Sequence, residues 1–155
     1  MPEPTAPTLD FAFEARVGVL PAIDAGLVPG GRRRIIPITG GMVAGPRLTG
    51  NVVPGGADWQ IVRDDWVIDL TARYTIQAAD GTYIGVVNRG LRHTTAEVQA
   101  RLNAGETVDP ALVYFRTTPV FEAPEGPHHW LTRSIFVGTA QRHPEGVLLR
   151  FFAVL

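Results

Sequence analysis

Residues 61–88 read IVRDDWVIDLTARYTIQAADGTYIGVVN, and they carry the clearest β-strand pattern of the chain. Apolar residues recur at every second position, the period at which a strand presents side chains to one face of a sheet. The Asp-Gly pair at 80–81 is typical of a two-residue hairpin, and residues 82–88 form the returning strand. Residues 61–78 are either one long strand or two strands separated by a tight turn near residues 63–65. The apolar face consists of Trp66, Ile68, Leu70, Ala72, Tyr74, Ile76 and Ala78.

Short strands continue on both sides of this stretch. Residues 9–17 alternate between apolar and polar positions, and the proline and glycines of residues 21–31 predict a loop. Residues 54–56, Pro-Gly-Gly, are a strong turn signal. The series predicts roughly eight to ten strands joined by short turns, the pattern of an antiparallel barrel or sandwich rather than of βαβ units. The remaining predicted strands are residues 34–38, 42–53, 112–117, 130–139 and 146–154.

One helix interrupts the strands. Thr94 and Glu97 match the capping-box pattern, in which the two side chains satisfy free backbone N–H groups at the start of a helix. Gly105 can end the helix in a left-handed conformation. We therefore predict a helix near residues 95–104 within an all-β fold. The fold is a single antiparallel β-barrel over residues 9–155, preceded by a flexible tail of residues 1–8.

The composition argues against several classes of function. The chain has 155 residues, a net charge of -1, no cysteine, and 14 basic residues that are all arginine. Without cysteine there are no disulfides, thiol nucleophiles or cysteine-bound metals. A pI near 6.4 argues against a nucleic-acid partner. The N-terminus does not resemble a signal peptide and no run of about 18 apolar residues is present, so we expect a cytoplasmic protein that does not enter membranes.

Cofactor and metal motifs are missing as well. The sequence lacks the glycine-rich fingerprint of dinucleotide-binding folds. A chain without lysine has neither the phosphate-binding loop motif nor a lysine-linked pyridoxal phosphate. His128 and His129 are adjacent, so on a strand they would point to opposite faces, and the histidines show no spacing typical of metal ligands. We therefore expect neither a cofactor nor a metal site.

Five stretches together resemble one protein family. They are GRRRIIPITGG (residues 31–41), GPRLTGNVVPGGADW (45–59), ARYTIQAADGTYIGVVNRG (72–90), YFRTTPVFE (114–122) and HWLTRSIFVGTA (129–140). In this order they are similar to the bacterial and fungal family DUF3237, also called UPF0311, over nearly the whole chain. The resemblance implies a lipocalin-like (calycin-like) β-barrel with a pocket. A fold by itself implies no activity.

Asp58 and Trp59 follow the predicted turn at residues 54–56. There the indole could stack on a flat ligand while the carboxylate accepts a proton; alternatively, the tryptophan plugs the barrel end and the aspartate caps the turn. Asp69 and Arg73 lie opposite the apolar face, roughly 13 Å apart along the strand, so they cannot pair directly. If that face points outward, they are solvated charges. If it lines the barrel, they need a ligand or another partner.

Further candidates lie on the other predicted strands. Tyr114 and Arg116 share a face about 6.6 Å apart. Arginine can hold a carboxylate or enolate with two hydrogen bonds and tyrosine can donate a proton, but the arginine could equally be a structural residue that ties the next turn. Asn88 could orient a carbonyl group. Trp130 and Arg133 begin a predicted strand, where the tryptophan belongs either to the core or to a ligand site.

Two hypotheses follow. The first is a cofactor-independent acid–base enzyme (isomerase, cyclase, hydratase or lyase) that acts on a small aromatic or polyketide-like carbonyl compound. Asp58 or Asp69 would be its base. Arg73 or Arg116 would stabilise the oxyanion, and Tyr114 would be the acid. The second is a non-catalytic carrier or sensor of a small organic acid or aromatic ligand. A filled barrel without a pocket, and a homodimer, are left open. The predicted ligand contacts are Trp59, Asn88, Trp130 and Arg133.

Overall fold

The computed structural model describes residues 1–155 and consists mainly of β-strands. The strands are β1 (Leu9–Val19), β2 (Ile23–Val28), β3 (Gly31–Ala44), β4 (Gly50–Val62), β5 (Ile68–Ala78), β6 (Tyr83–His93), β7 (Tyr114–Glu122), β8 (Ile135–His143) and β9 (Gly146–Val154). The helices are α1 (Ala96–Asn103) and two 3₁₀ helices, Pro110–Leu112 and His129–Thr132. No helix has the length and apolar character needed to cross a membrane.

Eight of the strands form a closed antiparallel barrel, which confirms the predicted fold class. Strands β3 to β8 each pair with the next strand in the chain, and β1 closes the ring by pairing with both β9 and β3. β2 pairs with the first half of β3 and covers the part of that edge which β1 does not reach. Closure pairs the strand edges that an open sheet would expose.

One half of the barrel interior is filled by a hydrophobic core. Phe13, Phe121, Phe136 and Phe151 pack there with ring centroids 5.0–5.9 Å apart. Leu131, from the second 3₁₀ helix, is 1% exposed and closes this end. Burial of each such side chain stabilises the fold by roughly 1.5–3 kcal/mol. The other half of the interior lies toward the β4–β5 and β8–β9 turns, and it is lined by both polar and apolar side chains around a cavity.

β4 continues through the segment that the sequence predicts to be a turn. Its pairing with β5 changes register at residues 54–56, which form a bulge instead. Gly55 has a φ of +114°, a conformation that favours glycine and lets the strand bend here without ending. The turn between β4 and β5 lies at residues 63–67, so residues 61–78 are two strands and not one.

Two further local predictions are wrong. Residues 21–31 are not only a loop, because β2 lies within them and pairs with β3. The helix α1 is capped by Thr95 and not by Thr94: the Thr95 hydroxyl accepts a hydrogen bond from the Val98 N–H at 3.2 Å. The Thr94 hydroxyl instead donates to a backbone carbonyl that precedes β7, at 2.7 Å.

Candidate functional site

The half of the barrel that the aromatic core leaves open contains a cavity of about 60 Å³. Six of the seven buried side-chain polar atoms that lack a hydrogen-bond partner belong to its lining. Burying an unpaired polar group costs free energy, so such a concentration around one cavity is typical of a binding site. The polar lining residues are Arg34, Asp58, Gln60, Tyr74, Asn88, Arg92, Thr117 and Arg142.

Strand register brings these residues together from distant parts of the chain. Asp58 of β4 is paired with Ala72 of β5, which is paired with Asn88 of β6. Paired residues project to the same face, and neighbouring strands lie about 4.8 Å apart. Asp58 and Asn88 therefore enter the cavity on either side of the small Ala72 side chain. Arg34 of β3 is paired with Gln60. Gln60 is the next residue of β4 after Asp58 that faces inward, and it lies nearer the β4–β5 turn.

Two hydrogen bonds connect a guanidinium to a carboxylate. Arg34 Nη2 donates to Gln60 Oε1 at 2.6 Å, and Gln60 Nε2 donates to Asp58 Oδ2 at 2.8 Å. The second carboxylate oxygen, Asp58 Oδ1, is buried without a partner. Burial raises the pKa of Asp58 above its ordinary value, although the bond from Gln60 and the nearby arginines act in the opposite direction. A carboxylate with a raised pKa and a free oxygen at a cavity is suited to accept a proton.

Tyr74 adds a second titratable group to the cavity. Its hydroxyl is buried and has no hydrogen-bond partner. Burial, together with the negative charge of Asp58, raises the pKa of Tyr74 well above its ordinary value. The phenol is therefore protonated at neutral pH and can donate a hydrogen bond or a proton to a bound ligand.

Three guanidinium groups face the same cavity, those of Arg34, Arg92 and Arg142. None of them forms an ion pair with a carboxylate. Arg92 is 7% exposed, and burial, followed by the charges of Arg142 and Arg34, lowers its pKa to about 10. Arg142 is exposed, so the cavity reaches solvent beside it. Unpaired positive charge at a cavity favours a negatively charged or electron-rich ligand group.

Two neutral polar side chains complete the lining. Asn88 is 1% exposed and Thr117 is 3% exposed, and Asn88 Oδ1 and Thr117 Oγ1 have no partners. Gly138 of β8 is paired with Thr117, and a Cβ at Gly138 would collide with the threonine hydroxyl. The glycine thus makes room for a hydroxyl that is free to bind a ligand.

Two of the predicted site residues, Asp58 and Asn88, lie in this cavity, and a third, Trp59, lies on the outer face of the barrel next to Asp58. Asp58 and Asn88 are part of the lining. Trp59 follows Asp58 on β4 and therefore projects to the opposite face, where it is 45% exposed.

Four other predicted residues lie on the outer face of the barrel. The apolar sides of β5 and β7 fill the interior, so Asp69, Arg73, Tyr114 and Arg116 project outward. Asp69, Tyr114 and Arg116 line a groove on the outside, where the Arg116 guanidinium lies 5.7 Å from the Tyr114 ring centroid. Arg73 is exposed in a separate surface depression. Catalytic roles for these four stay predictions, and the structure does not bring them together with Asp58.

Trp130 and Arg133 lie at the closed end of the barrel, away from the cavity. They do not begin a strand: residues 129–132 form a 3₁₀ helix, and Arg133 is the exposed residue that ends it. Trp130 packs against Phe136, and the Arg47 guanidinium lies 3.8 Å from its ring centroid. Its contacts are those of the hydrophobic core.

Six of the eight polar lining residues were not among those predicted from the sequence, although the strand pattern pointed to three of them. Tyr74 stands on the apolar face of β5, which is the inner face. Arg92 shares the inner face of β6 with Asn88, and Thr117 shares the inner face of β7 with Phe115 and Phe121. The three lining residues without such a signal are Arg34, Gln60 and Arg142.

The cavity combines a free carboxylate oxygen, a protonated phenol, guanidinium groups and apolar walls, which is a set suited to proton transfer. No three His, Asp or Glu side chains meet in a way that could hold a metal ion. Fold and cavity define the class of this protein as a small antiparallel β-barrel with a polar internal cavity. The chain belongs to the DUF3237 family: the family profile described as "Protein of unknown function (DUF3237)" matches residues 7–154.

Relatives support this membership over the full chain. A UPF0311 protein of Bradyrhizobium diazoefficiens is 44% identical over 154 residues, which cover 96% of this chain and 99% of the relative. The crystal structure of the conserved protein of unknown function RPA1785 from Rhodopseudomonas palustris superposes with a TM-score of 0.90 at 38% identity, and covers 98% of this chain and 100% of that one.

One more distant relative has an activity in its name. The "Hydroalkoxylation enzyme phnH" of Penicillium herquei is 35% identical over 81 residues, which cover 52% of this chain and 54% of that protein. A crystal structure of an enzyme from Penicillium herquei has a TM-score of 0.75 at 24% identity, which shows a shared fold.

Proposed function

We propose that this protein is an acid–base enzyme that acts on a small oxygenated carbonyl compound inside the barrel. The observation that carries this proposal is Asp58 Oδ1, a buried and unpartnered carboxylate oxygen on a group whose pKa is raised, facing the same cavity as the Tyr74 phenol. Asp58 is paired with Ala72, two residues from Tyr74 on the neighbouring strand, so the base and the acid face the cavity side by side. A base and an acid that contact the same bound molecule can move a proton from one of its atoms to another.

The name of the Penicillium herquei relative suggests which proton transfer to test first. Hydroalkoxylation adds an O–H group across a C=C bond. Asp58 Oδ1 would take the hydroxyl proton, the oxygen would form a bond to one alkene carbon as the π bond breaks, and Tyr74 would give a proton to the other carbon. Return of the proton from Asp58 to Tyr74 restores both groups. The reaction is neutral in redox terms, so the chemistry requires no added oxidant or reductant.

The cavity also supplies groups that stabilise charge during such a reaction. When the alkene is conjugated to a carbonyl, attack on carbon places negative charge on the carbonyl oxygen. Arg92 and Asn88 would bind that oxygen through buried N–H groups, which are worth more in a dry site than in water. Asp58 keeps its orientation through Gln60, which Arg34 holds in turn.

The size of the cavity limits the part of the substrate that enters. A volume of about 60 Å³ accepts the polar end of a small molecule, while a larger apolar body would extend past the exposed Arg142 toward solvent. The aliphatic walls, which include Ile36, Leu70 and Leu149, suit a substrate that is apolar next to its reacting oxygen atoms.

The proposal is tested by cyclisation of an ortho-hydroxyphenyl propenyl ketone to the methylchromanone, followed by the loss of enone absorbance above the buffer rate. The wild type and the control Asp64→Asn, an exposed residue of the β4–β5 turn, should turn over equally. Asp58→Asn should lower turnover by about 100-fold or more, the usual contribution of a general base. Full activity of Asp58→Asn would contradict the proposal. Loss of activity in Asp69→Asn alone would show that the active site is the outer groove, which Asp69 lines.

A carrier of the same class of ligand is the second candidate function. The unpaired guanidinium of Arg92 favours it, since binding of an anion there needs no reaction. This alternative predicts that the wild type binds oxygenated aromatics without turning over any of them, and that Asp58→Asn keeps the binding.

A further inference from the structure

We infer that the ligand enters the cavity with one group already ionised, a carboxylate or an acidic phenolate separate from the hydroxyl that Asp58 deprotonates, and that Arg92 is the residue that selects this group. This inference deepens the proposed function and rests on the same cavity. Its evidence is the balance of charge in the lining, which differs from the evidence for the proton transfer.

The charged groups that face the cavity do not balance. Arg34, Arg92 and Arg142 contribute three positive charges, and Asp58 is the single carboxylate among the lining residues. Tyr74, the remaining titratable group, stays neutral. The lining therefore carries two more positive than negative charges when Asp58 is ionised.

A neutral substrate leaves this excess unchanged. Proton transfer from a substrate to Asp58 turns one carboxylate neutral and creates one oxyanion, so the total charge inside the cavity is the same before and after. Only a ligand that arrives with its own negative charge reduces the excess. Anion binding thus fits the lining whether or not Asp58 acts as a base.

Arg92 is the arginine with the greatest need for such a partner. Arg34 already donates to Gln60, and Arg142 is exposed to water. Arg92 is 7% exposed, its Nε has no partner, and its strand neighbours are Ile68 and Phe115. A buried guanidinium between apolar neighbours binds a planar carboxylate or a phenolate oxygen most strongly, because both offer concentrated negative charge to its N–H groups.

A chromophoric probe measures this preference directly. The neutral and anionic forms of para-nitrophenol absorb at different wavelengths, so its ionisation is followed while it is bound to the full-length protein. We expect the phenolate to bind at least roughly 30-fold more tightly than the phenol, because a buried charge pair is worth that much or more. The ionisation midpoint of the bound probe then falls by about 1.5 pH units.

Three variants identify the residue responsible. In Arg92→Met the ionisation midpoint of bound para-nitrophenol should no longer fall. In Arg92→Lys, which keeps the positive charge, the midpoint should fall by a smaller amount than in the wild type. Arg89→Met, an exposed arginine of the same strand, should leave it unchanged. A midpoint that does not fall in the wild type, or that falls equally in a folded Arg92→Met, overturns the inference.

Two further arms separate this inference from the proposed function. Benzoate should displace para-nitrophenolate if a carboxylate is accepted, and failure to displace it restricts the site to phenolates. Asp58→Asn should bind para-nitrophenolate more tightly, because it removes the one negative charge of the lining. Loss of turnover in Asp58→Asn with retained phenolate binding supports both proposals, whereas absence of turnover in the wild type with strong phenolate binding refutes the enzyme alone.

Discussion

Replacement of Arg92 by methionine is expected to stabilise the protein when no ligand is bound. In the free protein the Arg92 guanidinium is buried beside apolar neighbours and two other arginines. Its pKa falls from 12.5 to about 10, which corresponds to about 3 kcal/mol of unfavourable free energy for the charged form. Because the group is a base whose pKa is lowered on folding, this cost is complete below about pH 10 and is fully present at pH 7.

The net gain is smaller than this cost. Methionine is shorter than arginine and leaves part of the volume empty, and the contact between the guanidinium and the Phe115 ring, 6.0 Å away, is lost. We expect Arg92→Met to raise the free energy of unfolding by about 1–2 kcal/mol, which is the cost of burying the charge less these losses. For a chain of this length each kcal/mol raises Tm by about 2–4 °C.

Urea denaturation at pH 7, followed by tryptophan fluorescence, measures this difference. Arg89→Met, which changes an exposed arginine of the same strand, should lie within about 0.5 kcal/mol of the wild type. An unfolding free energy of Arg92→Met more than about 1 kcal/mol below that of the wild type would refute the reasoning. Arg92 would then stabilise the ligand-free protein through a partner within the chain.

Further predictions concern the remaining groups of the cavity. Asp58→Asn should be more stable than the wild type at pH 7, because the raised pKa of Asp58 shows that its charged form is unfavourable in the folded protein. The difference in unfolding free energy should shrink as the pH falls and vanish below about 3.8, the ordinary Asp value. Equal stabilities at every pH would contradict this. Tyr74→Phe should raise the unfolding free energy by about 1 kcal/mol, because it removes a buried hydroxyl that has no partner, while turnover falls about 100-fold. Gly138→Ala should cost about 1–3 kcal/mol, since its methyl group would collide with Thr117, and Gly85→Ala, which meets only a flexible glutamate, should cost less than 1 kcal/mol by the same denaturation assay.

The fold could be predicted from the sequence because strand alternation is a local property. Residues 9–17 and 146–154 alternate clearly, and the Asp-Gly turn at 80–81 fixes one hairpin, so the class of the fold follows. The bulge at residues 54–56 could not be predicted in this way. A Pro-Gly-Gly sequence has the same local preference in a turn and in a bulge, and pairing with β5 decides between them.

The candidate site depended on which strand face is inside. The apolar face of β5 indicated this, but alternation did not mark the inward-facing polar residues Arg34 and Gln60 of β3 and β4. The polar face of β5, with Asp69 and Arg73, turned out to face solvent, while Tyr74 on the apolar face reaches the cavity. The contact between Arg34 and Gln60 joins residues 26 positions apart through strand register. Such long-range pairs are set by the closed sheet and leave no trace in the spacing of one strand.

The central claim is that the ligand binds inside the barrel and not in the outer groove. A crystal soaked with para-bromobenzoate tests it directly, because the anomalous scattering of bromine locates the molecule without ambiguity. We predict a bromine peak at the opening of the cavity beside Arg142, with the carboxylate directed toward Arg92. A bromine peak in the outer groove beside Asp69, Tyr114 and Arg116, with nothing bound in the cavity, would contradict the account.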